Sequence, residues 1–202
     1  MSDTIRAFIA IQLPEETRSR IKEIQKELKS SGLKIKWVEP ENIHLTLKFL
    51  GDVHTEDLET IKDALRESVI GHSRISISAK GLGVFPGINR PRVVWVGING
   101  EVDKLRRLQQ ALEDTLEMMG FPREERPFRG HLTLARIKGD IRSEKLVEAL
   151  ARYKDIESEP FIAERIVLFK SELMPGGAVY TELMSAFMKD SPASGLNSDN
   201  RK

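Results

Sequence analysis

The hydrophobic positions of the chain follow two periods that alternate from the N-terminus onward. The segment IRAFIAI at 5–11 is short, apolar and β-branched, which predicts a buried strand. The charged segment that follows has Ile21, Ile24 and Leu28 at helical spacing and acidic residues in its first turn, which predicts an amphipathic helix. The first half predicts strands at 5–11, 43–51 and 74–85 and helices at 15–32 and from Thr55 to Gly71.

The second half repeats this order of elements at an offset of 87 residues. It predicts strands at 92–98, 131–137 and 161–169, and helices with their apolar positions at 105–116 and 146–153. The offset lays the first strand of one half on the first strand of the other. It also superimposes the tetrapeptide HLTL at 44–47 on an identical HLTL at 131–134. The pattern therefore indicates one βαβαβ unit that is used twice.

The C-terminal region departs from the repeat. A strand is predicted at 177–187 with no counterpart in the first half, and the tail at 189–202 is polar and turn-rich, so we expect it to be disordered. The sequence thus predicts a single domain over 1–188, with lobe-forming repeats at about 5–85 and 92–187.

The two HLTL motifs carry the candidate chemistry. Side chains alternate along a strand, so His44 and Thr46 share one face while the leucines pack on the other, and the same holds for His131 and Thr133. A pseudo-twofold relation between the halves would let both polar faces line one cleft. Two imidazoles can act as general acid and general base, and threonine hydroxyls can hold the oxygens of a phosphodiester. One such tripeptide would be unremarkable on a half-exposed strand, but two copies in register favour function.

Further candidates for substrate binding lie near these motifs. Continued alternation would place Lys48 on the cleft face after Thr46, and Arg129 on the cleft face before His131, where each could contact a phosphate. Trp37, in a predicted loop, and Tyr180 could line the substrate groove, whereas Trp95 lies in an apolar strand and is expected in the core.

Composition narrows the classes of protein that remain. The formal charge of +1 gives no whole-molecule attraction to nucleic acid, so any basic patch must be local. The absence of Cys excludes disulfides, a thiol nucleophile and thiolate zinc sites. No signal peptide and no apolar run of membrane-spanning length is visible, so we expect a cytoplasmic protein without a membrane partner. Neither HLTL strand contains an acidic residue or a further histidine, so no metal and no cofactor is expected.

The segments HLTLKFLG at 44–51, GLGVFPGINRPRVVWVG at 81–97 and FRGHLTLAR at 128–136 resemble the two-histidine phosphoesterases. Among these they are most similar to the RNA 2′,3′-cyclic phosphodiesterases, also known as 2′-5′ RNA ligases. The resemblance covers roughly residues 4–188. One departure is Gly130, which stands where the family usually has proline before the second histidine.

This resemblance implies a bilobal α+β fold, a pseudo-twofold duplication with two antiparallel sheets around a central cleft and helices on the outer faces. It implies metal-independent opening of a 2′,3′-cyclic phosphate at an RNA 3′ end, including tRNA-like fragments, to a 2′-phosphate. By motif position His44 would be the proton donor and His131 the proton acceptor. Thr46 and Thr133 would hold the phosphate oxygens, and Arg136, in the second motif, joins the substrate-binding candidates. The reverse reaction would be 2′-5′ ligation, and we expect a monomer.

Two alternatives stay open. The chain could be a binding module that recognises RNA ends without turning them over. It could also be a phosphodiesterase that acts on small cyclic nucleotides or on a cyclic phosphate of an ADP-ribose derivative, since the sequence does not fix the length of the groove.

Overall fold

The computed structural model describes residues 3–30, 32–33, 35–139, 143–175 and 177–189. Its strands are β1 (Thr4–Gln12), β2 (Lys36–Trp37), β3 (His44–His54), β4 (Ile75–Phe85), β5 (Val93–Gly100), β6 (His131–Arg136), β7 (Phe161–Ala163), β8 (Arg165–Met174) and β9 (Gly177–Phe187). Its helices are α1 (Glu15–Ser30), α2 (Leu58–Ser68), α3 (Val102–Met118) and α4 (Ser143–Arg152). The expectation of disorder for the tail falls on 190–202, which lie outside the described residues.

The strands form an antiparallel sheet in the order β7-β4-β5-β6-β3-β1-β8-β9, with β2 added to β6. The two halves of this order meet at β3 and β6, which pair through one residue pair, Leu45 with Leu132. A junction this narrow lets the sheet curl, so the half-sheets β7-β4-β5-β6 and β3-β1-β8-β9 flank a cleft. The predicted α+β duplication with antiparallel half-sheets is confirmed.

The two repeats exchange strands. β4 closes the first repeat in sequence, yet it pairs with β5 of the second. Likewise β8 comes from the second repeat and pairs with β1 of the first. The boundaries of the half-sheets therefore do not coincide with the boundaries of the repeats, and each wall of the cleft is built from both.

The predicted strand at 161–169 is two strands. Phe161–Ala163 pairs with β4 at one end of the sheet order, and Arg165–Met174 pairs with β1 and β9 in the other half. Glu164 alone links them, and its carbonyl accepts a hydrogen bond from the backbone N–H of Met188 at 2.8 Å. Glu164 and Arg165 interrupt the apolar segment at the switch, but two charged residues in a strand-like segment do not indicate that its two parts pair with different strands.

One large apolar cluster fills the space between the sheet and the helices. Ile21, Ile61, Leu105 and Leu146, one from each helix, are at most 1% exposed within it. A second, small cluster lies on the other face of the sheet and consists of Phe8, Ala10, Val167 and Phe169, with Tyr180 packed against it. That second face borders the cleft.

A β-bulge interrupts β3 just after its polar motif. Thr46 pairs with Ala10, but the next pair is Lys48 with Ile9, so Leu47 is the extra residue. A bulge shifts the alternation of side chains by one position. Lys48 and Phe49 consequently face the opposite sides from those that simple alternation predicts, until a second extra residue, Leu50, restores the alternation.

The same bulge occurs 87 residues later in β6. Thr133 pairs with Trp95 and Ala135 with Val94, so Leu134 is the extra residue. The duplication thus extends from the elements down to an irregularity of the backbone.

Candidate active site

The polar residues of both motifs border one cleft. β3 pairs with β6 through the first leucines of the two HLTL motifs. The antiparallel register then sets His44 opposite Thr133 and His131 opposite Thr46. All four side chains are half-buried, in contrast to the fully buried leucines between them. Sequence alternation and the pseudo-twofold relation together predicted this placement.

Each histidine ring is oriented by the same backbone contact. Nδ1 of His44 lies 2.8 Å from the carbonyl oxygen of Asn42, and Nδ1 of His131 lies 2.7 Å from the carbonyl oxygen of Arg129. A carbonyl only accepts, so Nδ1 donates its proton in both rings. In the neutral form Nε2 then carries the lone pair, which fits it to exchange protons with a bound group.

Three aromatic rings lie near the imidazole of His44. Phe8 stacks on its imidazole with ring centroids 4.6 Å apart, and Tyr180 contacts it edge-on at 5.3 Å. Phe169 lies further out, with its centroid 6.5 Å away. This apolar enclosure removes water from the ring and therefore disfavours its charged form.

His131 has its own aromatic wall. Phe85 meets its ring edge-on at 5.0 Å, and Trp95 does so at 6.4 Å. The expectation that Trp95 belongs to the core is wrong, because Val94 and Val96 occupy the helix face of β5 and alternation turns the indole to the cleft face.

The indole of Trp95 needs the glycine opposite it. Gly83 is its cross-strand partner, and a Cβ at Gly83 would come within 2.2 Å of the indole ring. No real Cβ contact is that short. The missing side chain at Gly83 therefore makes the space in which the indole lies flat beside the cleft.

The charges around His44 oppose its protonation. The pKa of His44 is lowered to about 4, mainly by burial and in smaller part by the positive charges of Arg136 and His131, while the hydrogen bond to the Asn42 carbonyl acts in the opposite direction. His44 is therefore neutral at pH 7 in the free protein. The influence of His131 also shows that the two imidazoles share one electrostatic environment.

Arg136 and Tyr180 lie at the His44 side of the cleft. Burial raises the pKa of the Tyr180 phenol, while the charges of Arg136 and Arg6 act in the opposite direction. Arg136 thus lies close enough to influence both His44 and Tyr180. Both were candidates for substrate binding, and that role remains a prediction.

Arg129 contributes its backbone rather than its side chain to the histidine pair. Its carbonyl orients His131, while the exposed residue borders a shallow cavity of about 190 Å³ that Phe128 and the first turns of α3 also line. The predicted phosphate contact of its guanidinium remains a prediction.

Lys48 does not face the cleft, so the expectation for it is wrong. The bulge at Leu47 turns Lys48 to the helix face, where it is 5% exposed. Its Nζ lies 2.6 Å from Oε2 of Glu113 in α3 and 2.7 Å from the carbonyl oxygen of Pro122. Lys48 is therefore one half of a buried ion pair between sheet and helix.

Trp37 also lies away from the cleft. It pairs with Ala135, which faces the core, and it packs against the large cluster with Nζ of Lys29 at 5.6 Å from its ring centroid. The expectation that Trp37 lines the groove is wrong for that reason. Its neighbour Lys36 pairs with Arg136 and so shares the cleft face.

Sequence reasoning missed several residues of the cleft. Phe49, at the position equivalent to Arg136, pairs with Phe8 and is 63% exposed on the cleft face. Asn42 orients His44 and also donates from its side-chain amide to the carbonyl of Ala178 at 2.7 Å. The bulge in β3 places Phe49 on the cleft face, and the distant β8–β9 hairpin supplies the contact of Asn42. Neither feature has a local sequence signal.

Neither a metal site nor a membrane-spanning helix is found among the described residues. No group of three or more His, Asp or Glu side chains in those ranges is arranged to hold a metal ion. None of the four helices there has both the length and the apolar character needed to span a membrane.

Comparison with known proteins agrees with this architecture. The family model described as LigT-like phosphoesterase matches twice in tandem, over residues 11–95 and 96–180. An RNA 2′,3′-cyclic phosphodiesterase of Methanothermobacter thermautotrophicus is 38% identical over 179 residues, covering 89% of this chain and 96% of the relative. Its namesake from Methanocaldococcus jannaschii is 36% identical over 176 residues, covering 87% and 96%. The crystal structure of a Thermus thermophilus protein, TT0787, has a TM-score of 0.77 at 28% identity and covers 93% of this chain and 100% of its own. The chain belongs to the LigT-like phosphoesterase family.

Proposed function

We propose that the protein is an RNA 2′,3′-cyclic phosphodiesterase that opens a terminal 2′,3′-cyclic phosphate to a 2′-phosphate. The observation that carries the proposal is the pair of imidazoles, each held through Nδ1 by a backbone carbonyl and each on the cleft face of a duplicated strand. Its relatives of 36% and 38% identity bear that name.

The reaction needs one proton taken and one proton given. His131 accepts a proton through Nε2 from water, the water oxygen attacks phosphorus, and the bond from phosphorus to the 3′ oxygen breaks. His44 donates its proton to that departing oxygen. Thr46 and Thr133 donate hydrogen bonds to the non-bridging oxygens, and Arg136 balances their charge. The same ring opening with a 5′ hydroxyl in place of water would give a 2′-5′ bond.

The donor role of His44 depends on substrate. In the free protein burial, Arg136 and His131 keep its pKa at about 4. A phosphodiester anion between the two histidines would offset the positive charges of Arg136 and His131 and accept a hydrogen bond from the protonated Nε2. Binding would therefore raise the pKa of His44 and charge it where the leaving oxygen forms.

Side chains of the cleft can also bind the base of the substrate and balance the charge of its phosphate. Phe49 offers an exposed ring on the cleft face against which a base can stack. Arg136 provides the positive charge that a metal ion would otherwise bring, so we propose that catalysis is metal-independent. The cytoplasmic location and the monomeric state expected from the sequence stay predictions.

The test is product analysis on an RNA that ends in a 2′,3′-cyclic phosphate, with and without EDTA. We expect a 2′-phosphate product at unchanged rate in EDTA and a bell-shaped pH dependence. His44→Ala and His131→Ala should each lower kcat by about 10²-fold or more, the usual contribution of a general acid or base. Near-normal turnover in either variant would refute the acid/base pair. Tight binding without product would instead identify a binding module for RNA ends.

A further inference from the structure

The mouth of the cleft carries an unusual pair of cations. Lys36 and Arg136 are direct cross-strand partners on β2 and β6, and both are exposed. Side chains in such a pair lie on the same face with Cβ atoms about 5 Å apart, and like charges placed this way destabilise the sheet.

No carboxylate among the described residues offsets this repulsion. Within the described parts of the chain neither Lys36 nor Arg136 takes part in an ion pair. Arg6 shows the contrast, because it also lies near Tyr180 but its cross-strand partner on β3 is Asp52, which brings the opposite charge. An anion bound from outside the chain would relieve the repulsion between Lys36 and Arg136.

The two cations are not equivalent. Arg136 lies close enough to His44 to lower its pKa, so it would contact the phosphate that reacts. Lys36 lies one strand further out, on β2, which pairs with β6 and lies off the main path of the sheet. A single monoanionic cyclic phosphate is balanced by Arg136, and a second anion further along the ligand would contact Lys36.

We propose that Lys36 binds the phosphodiester that precedes the terminal nucleotide, so the preferred substrate is an RNA chain rather than a cyclic mononucleotide. This inference rests on the proposed function and names its substrate class. It also distinguishes the protein from a phosphodiesterase of small cyclic nucleotides, because a cyclic mononucleotide has no second phosphate for Lys36 to bind.

The experiment compares a 2′,3′-cyclic mononucleotide with a trinucleotide that ends in the same group. Wild-type protein should have the higher kcat/KM on the trinucleotide. Lys36→Gln should lower the trinucleotide-to-mononucleotide ratio of kcat/KM by about fivefold, through KM, because one exposed phosphate contact is lost. The slope of log KM against log salt on the trinucleotide should fall by about 0.7 for the same reason. Lys36→Arg should keep most of the ratio.

Lys22→Gln is the matched control, since it removes the same charge from the exposed side of α1. It should leave the ratio and the salt slope as in the wild type. Equal kcat/KM on the two substrates in the wild type, or an unchanged ratio in Lys36→Gln, would overturn the inference while the phosphodiesterase activity stands. Absence of turnover on both substrates would overturn the proposed function, and this inference with it.

Discussion

The pKa of His44 should make the stability of the protein depend on pH. The folded protein holds this pKa at about 4, whereas an imidazole in the unfolded chain titrates near 6.5. Below pH 6.5 the unfolded state therefore binds a proton that the folded state does not, and stability falls as the pH falls. At pH 5 the loss is about 2 kcal/mol, and it approaches about 3 kcal/mol once both states are protonated.

The assay is urea unfolding of wild-type protein and His44→Gln at pH 8 and pH 5. The decrease in the free energy of unfolding between these pH values should be smaller in the variant by about 2 kcal/mol, because glutamine does not titrate. His54→Gln is the control for loss of an imidazole, since His54 is exposed at the far end of β3.

NMR titration of the His44 ring measures its pKa directly, and repeating the titration with phosphate bound tests whether His44 can act as the proton donor. The pKa should rise well above 4 when inorganic phosphate is bound, because the anion offsets Arg136 and His131. An equal pH dependence in wild type and His44→Gln would refute the argument from burial. A pKa that stays near 4 with phosphate bound would refute His44 as the proton donor.

Three further predictions concern the support of the site. Lys48→Ala should lower the free energy of unfolding by about 3–5 kcal/mol in urea unfolding because it leaves Glu113 buried and unpaired, and the double change Lys48→Met with Glu113→Leu should recover much of this. Gly83→Ala should displace the indole of Trp95, and a changed tryptophan fluorescence spectrum with reduced kcat would check it, whereas native spectrum and kcat would contradict the packing. Asn42→Ala removes the hydrogen bond to the carbonyl of Ala178, which holds the β8–β9 hairpin and with it Tyr180 against His44, so it should move the acid limb of the pH–rate profile. The matched Asn99→Ala removes a side-chain amide that bonds Glu157 instead, and should leave the profile unchanged.

The positions of the two histidines and two threonines could be predicted from sequence because each lies before the irregularity in its strand. From the start of β3 to Thr46 the alternation is regular, so the face of each side chain follows from a period of two. The interpretation of Lys48 failed one step later, at the bulge. A bulge is set by how two strands pair, and Leu47 looks like any strand leucine.

Long-range pairing explains the other failures. The segment at 161–169 is predicted as one strand, yet its two parts pair with β4 and β1, at separate places in the sheet. Trp95 has the composition of a core residue and reaches the cleft because Gly83, twelve residues earlier, leaves room for it. Such placements depend on which strands become neighbours, and a single sequence carries no local signal of that choice.

The duplication fixes the backbone of the site and leaves its chemistry unequal. Both repeats hold an imidazole by a carbonyl two residues earlier and bend the strand at the same leucine, so the two rings meet the cleft in related orientations. At the equivalent positions after the bulge, however, one repeat has Arg136 and the other has Phe49. Two half-sites with identical surroundings would give their imidazoles the same intrinsic pKa, whereas a reaction that takes one proton and gives another needs one neutral and one charged imidazole. The enclosure of His44 by Phe8 and Tyr180, with Arg136 beside it, makes the two histidines unequal but keeps His44 neutral in the free protein. The proposed mechanism therefore depends on the bound phosphate anion, which would offset the nearby positive charges and let His44 carry the proton that the 3′ oxygen receives.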